Sequence, residues 1–149
     1  MLKFDRYKVV FQEIPNEVSL SFSITGCKNN CSGCHSPYLR EDIGNELTED
    51  ILTDIIKNNK YITCILFFGG DHDKEYLKKL VNTIRSNFNL KIALYSGNDI
   101  IDNDLYNIFD YIKIGSYNKD KGPLKSKTTN QCLINTRTGE DITYMFWNK

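Results

Sequence analysis

Hydrophobic and polar positions change their period several times along the chain, and each change marks an element. Residues 7–14 are apolar and β-prone, with Val9, Val10, Phe11 and Ile14, and Pro15-Asn16 predicts a turn after them. Val18, Leu20, Phe22 and Ile24 then alternate with Ser19, Ser21 and Ser23, a period of two that predicts a strand running up to Gly26. Leu47, Ile51, Leu52, Ile55 and Ile56 share one face of a helical period across residues 47–58. Thr48 stands where such a helix is capped, and Glu49 and Asp50 suit the positive end of its dipole. Residues 62–68 form a nearly continuous apolar run, as expected of a strand covered on both faces, and stop at Gly69-Gly70-Asp71.

The alternation continues. Leu77, Leu80, Val81, Ile84 and Phe88 predict a helix over residues 73–88. Residues 91–95 read as a strand ending at Ser96-Gly97, 102–109 as a short helix, and 111–114 as a strand ending at Gly115. Strands alternating with helices imply right-handed βαβ units and a parallel sheet in one α/β domain spanning residues 1–149. The tail differs: residues 116–130 are polar and aperiodic and predict a long loop, while residues 131–136 and 142–147 predict a hairpin around Thr138-Gly139 at one sheet edge. In parallel α/β folds, ligands bind beyond the carboxyl ends of the strands. The segment after Gly26, the Gly69-Gly70-Asp71 turn, Ser96-Gly97 and Gly115-Ser116 should therefore surround one site.

Charge narrows the class of partner. Nineteen Lys and Arg balance nineteen Asp and Glu. Direct nucleic-acid binding, which calls for a basic excess, is not expected. No apolar run approaches the length needed to span a bilayer, and residues 1–6 lack the layout of a signal peptide, so a cytoplasmic setting is expected. In that reducing setting the five cysteines point to metal or redox chemistry instead of disulfides.

Three of them stand in Gly26-Cys27-Lys28-Asn29-Asn30-Cys31-Ser32-Gly33-Cys34-His35. Thiolates spaced in this way can hold three irons of an iron–sulfur cube and leave the fourth open, which is the condition for a catalytic rather than a structural metal site. The alternative is a zinc-stabilised, non-catalytic binding module using three Cys and His35. Zinc sites normally draw on separated ligand pairs, whereas His35 directly follows Cys34. Cys64, inside an apolar strand, and Cys132, at the start of an edge strand, read as small hydrophobes.

Cys-x3-Cys-x2-Cys after one strand and Gly-Gly-Asp after the next resemble the radical S-adenosylmethionine superfamily. Gly33-Cys34-His35, Gly69-Gly70-Asp71 and the late Thr128-Thr129-Asn130-Gln131 more narrowly resemble the activating proteins of anaerobic (class III) ribonucleoside-triphosphate reductases. The likeness runs from about residue 11 to 147; His72 departs from it, standing where a proline often follows Gly-Gly-Asp.

The resemblance implies an incomplete parallel (β/α) barrel of the radical S-adenosylmethionine type, with an N-terminal extra strand and a C-terminal edge hairpin. It implies that Cys27, Cys31 and Cys34 bind a [4Fe–4S] cluster whose open iron is chelated by S-adenosylmethionine. An electron from a flavodoxin- or ferredoxin-like donor then drives cleavage of S-adenosylmethionine and formation of a glycyl radical on the large reductase subunit. Activation of another glycyl-radical enzyme, of the pyruvate formate-lyase type, shares the same chemistry. No side-chain nucleophile or general base is expected, because the cofactors carry the hard step. Gly69 and Gly70 would let backbone approach the ligand. Asp71 would accept from the methionyl ammonium or cap the following helix. Gly33 and His35 would lie near the adenine, His35 being equally readable as a surface imidazole, and Ser96 would contact the carboxylate or ribose or merely shape its turn. An open barrel flank would admit a protein loop as substrate, with an exposed apolar or aromatic surface beside the cluster.

Overall fold

The structure is a computed structural model describing residues 1–26, 43–116 and 118–147. Its strands are β1 (Lys3–Val10), β2 (Ser19–Ile24), β3 (Asn45–Glu46), β4 (Cys64–Phe68), β5 (Lys91–Tyr95), β6 (Tyr111–Ile114), β7 (Cys132–Asn135) and β8 (Glu140–Asp141). The helices are α1 (Glu49–Lys57), α2 (Lys74–Asn87) and α3 (Asn103–Tyr106). The strands make one mixed sheet in the order β3-β1-β2-β4-β5-β6-β7-β8. The four central strands β2, β4, β5 and β6 are parallel, and β1, β7 and β8 join antiparallel.

Register assigns each residue of the central strands to a face. Side by side stand Leu20, Ile65 and Ile92, then Phe22, Phe67, Leu94 and Ile112. These are fully buried and form one core with Leu52 and Ile56 of α1 and Leu77, Leu80, Val81 and Ile84 of α2. The opposite face carries Ser21, Leu66, Ala93 and Tyr111 in one row and Ser23, Phe68, Tyr95 and Lys113 in the next. It is covered by Val10, Ile14, Leu124, Ile142 and Phe146, which come from loops and strand termini. Thr48 caps α1, its side chain accepting from Ile51 N.

Several boundaries differ from expectation. The first strand lies earlier, at Lys3–Val10 instead of 7–14, because pairing with β2 sets its extent and a bulge between Phe4 and Arg6 breaks the alternation. Residues 11–14 bend so that Ile14 is buried while Phe11 is exposed. The expected second hairpin strand, 142–147, is instead a 3₁₀ turn, Thr143–Phe146, after the short β8. Its buried residues Ile142, Thr143 and Phe146 follow a helical spacing, not a period of two. The third helix is confined to Asn103–Tyr106, and the two-residue β3, held by β1, was not foreseen. Among the described residues, no helix is long and apolar enough to cross a membrane.

Candidate functional site

The parallel arrangement of β2, β4, β5 and β6 sends their carboxyl ends to one edge of the sheet. Beyond β4, Gly69 and Gly70 have φ of +94° and +112°, the left-handed region that side chains disfavour, and they turn the chain into a 3₁₀ turn, Asp71–Asp73. Gly70 faces the core: a Cβ there would lie 3.3 Å from Leu2 Cδ1 and 3.5 Å from Leu77 Cδ1. Gly69 N donates to Tyr95 O at 2.9 Å, which ties the turn to the end of β5.

Asp71 and Ser96, widely separated in sequence, meet here. Asp71 Oδ2 accepts from Ser96 Oγ and from Asn98 Nδ2, both at 2.6 Å. Ser96 is fully buried, and its Oγ also accepts from Asn98 N at 3.0 Å. The hydroxyl therefore spends its proton on Asp71, which makes Ser96 a holder of that carboxylate. The helix cap sits elsewhere: Asp73 accepts from Tyr76 N at 3.3 Å and starts α2, leaving Asp71 out of that role. Lys113 O accepts from Ser96 N at 2.8 Å and Lys113 Nζ donates to Ser96 O at 2.9 Å, so one lysine grips both backbone groups of Ser96.

The end of β6 is held from the tail. Asn130 Nδ2 donates to Ser116 O at 3.0 Å and Gln131 Nε2 to Gly115 O at 3.3 Å. Gly115 is needed for this approach, since a Cβ would lie 3.0 Å from Gln131 Cα and 3.1 Å from Asn130 O. Among the described residues, the buried Asn130 Oδ1 has no hydrogen-bond partner. Below the strand ends, Phe68 and Tyr95 meet edge to face at 5.1 Å, and Lys113 Nζ lies 5.8 Å from the Tyr95 ring centroid.

The expected metal ligands Cys27, Cys31 and Cys34, with Gly33 and His35, lie outside the described residues. The root of their segment is described. A Cβ on Gly26 would lie 3.5 Å from His72 Nε2, and one on Gly69 would lie 3.8 Å from Ile24 Cβ. Gly26, the last described residue before the cysteines, thus lies against the turn that follows Gly69-Gly70. The described residues fit a cofactor with a cationic head: a half-buried carboxylate fixed by two donors stands in the turn that Gly26, the residue before the cysteines, approaches. Asn98 and Lys113 were not singled out from sequence. For Lys113 a signal existed, because a lysine inside a strand buried on both faces demands a specific partner.

The expected exposed apolar or aromatic surface beside the cluster falls in part on residues outside those described, Tyr38 and Tyr117 among them. Among the described residues, Val9, Phe11 and Tyr61 are exposed and line a groove at the opposite edge, where the parallel strands begin. On the site side, Ile100 is exposed.

The model of the family described as "4Fe-4S single cluster domain" matches residues 17–133 of the chain. That span covers β2, the cysteine segment, the Gly-Gly-Asp turn and the strand ends described above. Comparison with curated proteins and with solved structures gives no match.

Proposed function

We propose that this chain, which belongs to the 4Fe-4S single cluster domain family, is a radical S-adenosylmethionine activase that installs a glycyl radical on anaerobic ribonucleoside-triphosphate reductase. It is an iron–sulfur protein by family. The finer reading is supported above all by one juxtaposition, the root of the Cys-x3-Cys-x2-Cys segment set against a Gly-Gly-Asp turn whose carboxylate is held by Ser96. In this reading the four parallel strands are the core of an incomplete barrel.

Cys27, Cys31 and Cys34 would hold the cluster and leave one iron for S-adenosylmethionine. When bound, cluster and S-adenosylmethionine would supply a one-electron cleavage of the sulfonium–carbon bond that releases methionine, and the freed deoxyadenosyl group would take a hydrogen atom from a backbone glycine of the partner and leave as 5′-deoxyadenosine. The chain's own residues bind and orient. Asp71 takes the methionyl ammonium through a charge-assisted hydrogen bond. Gly69 turns backbone toward the ligand, Ser96 fixes Asp71, and Gly33 and His35 flank the adenine. A flavodoxin- or ferredoxin-like protein supplies the electron, in the cytoplasm.

Anaerobic reconstitution with iron and sulfide tests this. The expected product is a brown protein that cleaves S-adenosylmethionine under a reductant and, mixed with the cognate reductase, gives a glycyl-radical signal in electron paramagnetic resonance. Cys31→Ala should abolish both cleavage and radical. A colourless protein with one bound zinc would overturn the assignment, and a radical formed only on a pyruvate formate-lyase-type enzyme would redirect it.

A further inference from the structure

The polar bonds around Asp71 fall on one of its oxygens. Among the described residues, Ser96 Oγ and Asn98 Nδ2 both donate to Oδ2, which is then saturated by two short bonds. A carboxylate oxygen held in this way can no longer rotate out to greet a ligand. The other oxygen of the group is presented in a fixed direction. The holders are themselves held: Asn98 N donates back to Ser96 Oγ, and Lys113 grips Ser96 through its own carbonyl and its ammonium. Asn98 is exposed, whereas Ser96 and Lys113 are buried, so the set runs from the solvent edge of the turn into the sheet. A bare Ser-to-Asp bond would be enough to cap a turn. A second donor on the same oxygen, plus a buried lysine clamping the first donor, is more than turn formation requires.

We propose that Asn98 and Lys113 are positioning residues that aim the Asp71 carboxylate, through Ser96, at the α-ammonium of the bound sulfonium cofactor. This rests on the functional reading above and assigns to these two residues the choice of ligands carrying that ammonium. Preorganisation is the physical gain: an acceptor already fixed loses no freedom on binding, and its hydrogen bond to a cationic donor is among the strong ones.

The test is equilibrium binding to the anaerobically reconstituted protein, with two probes: S-adenosylhomocysteine and its analogue lacking the α-amino group. The wild-type chain should prefer the amino-bearing probe. Asn98→Ala should weaken that probe by about tenfold, the scale of one charge-assisted hydrogen bond, and leave the desamino analogue unchanged. Lys113→Met should show the same selective loss, with Lys113→Arg restoring part of it. Equal weakening of both probes, or of neither, in Asn98→Ala overturns the proposal while the functional reading stands. A wild-type protein that binds neither probe overturns the functional reading and this inference with it. Because Asn98 is exposed, its variant keeps the question open to a decision even if a Lys113 variant does not fold.

Discussion

The two faces of the central sheet are built by different rules. The face under α1 and α2 is apolar throughout, with Phe22 stacked on Phe67 at 6.0 Å and edge-on to Phe4, and with leucine and isoleucine in every remaining register position. The other face admits Ser19, Ser21, Cys64, Ala93, Tyr111 and Lys113, and loops cover it. Helices can cover only an apolar stripe, because they have no spare backbone groups with which to satisfy polar ones. Loops can cover mixed chemistry. Tyr111 OH donates to Glu17 Oε2 and Tyr95 OH to Glu13 O, both in the β1–β2 connection, while Ser21 Oγ is satisfied within the sheet by Lys8 O of β1. The lesson is a division of labour: one face supplies stability, and the other tolerates the polar groups that a site at the strand ends requires.

The largest test of that division is Phe67→Ala. Phe67 is fully buried on the helix-covered face, and its removal should cost about 4 kcal/mol, through lost transfer energy and a cavity that packed helices cannot close. Urea unfolding measures this. A loss as small as that of a surface substitution would mean that the helix face is not the stabilising one.

The helix face was also the face legible in sequence. Continuous apolar runs and 3.6-residue stripes located β4, β5, β6, α1 and α2 to within two residues, because burial there follows hydrophobicity. The loop-covered face was not legible in this way. Strand β1 is mostly exposed and owes its place to pairing with β2, so its apolar pattern pointed too far along the chain. The 3₁₀ turn at Thr143–Phe146 is fixed by side-chain bonds, Asp141 Oδ1 accepting from Thr143 N at 3.0 Å and Thr143 Oγ1 accepting from Leu133 N at 2.9 Å, which composition does not reveal. At the candidate site, Gly69-Gly70-Asp71 and Ser96 were singled out because strand ends converge in parallel sheets, a topological argument, and Asp71 and Ser96 do meet in the structure. Asn98 and Lys113 escaped that argument. Their roles depend on reaching particular oxygens on neighbouring strands, a matter of distance that spacing cannot encode.

The two covers are joined at Asp110, so a change there sharpens the comparison by loosening both. Asp110 is buried and accepts from Arg85 Nη2 of α2 at 2.8 Å, from Arg137 Nε of the β7–β8 turn at 2.6 Å, and from Ile92 N at 2.9 Å. Burial works to raise its pKa, but the Arg137 bond, the Ile92 N–H and the Arg85 bond outweigh it and hold the carboxyl below its ordinary value. Asp110→Ala should cost about 2 kcal/mol, chiefly by leaving a buried N–H unpaired. The pH dependence has a definite sign. With the folded pKa depressed, the unfolded chain binds more protons, so the contribution is complete above about pH 4, the unfolded carboxyl's pKa, and is lost as pH falls through the folded value. Unfolding midpoints of wild type and Asp110→Ala should therefore converge as the solution is acidified below pH 4 (roughly). Parallel curves would show that Asp110 does not titrate with folding.

The smallest effect belongs to Cys64, and it separates the two kinds of cysteine in the chain. Its thiol lies fully buried on the loop-covered face, with a pKa pushed up to about 12, first by burial. The neighbouring Ser19 hydroxyl pulls the other way, the Glu17 and Asp110 charges add to the rise, and Lys91 opposes it. At neutral pH such a sulfur is a protonated hydrophobe, neither a nucleophile nor a ready metal ligand. Cys64→Ala should cost about 1 kcal/mol, the scale of one buried methyl-sized group, and leave the iron content of the reconstituted protein unchanged. Alkylation of Cys64 at pH 8 should follow unfolding of the chain and not reagent concentration. Fast native-state labelling, or iron lost with this sulfur, would show that the loop-covered face is open from the end opposite the site, and the division between the faces would fail there.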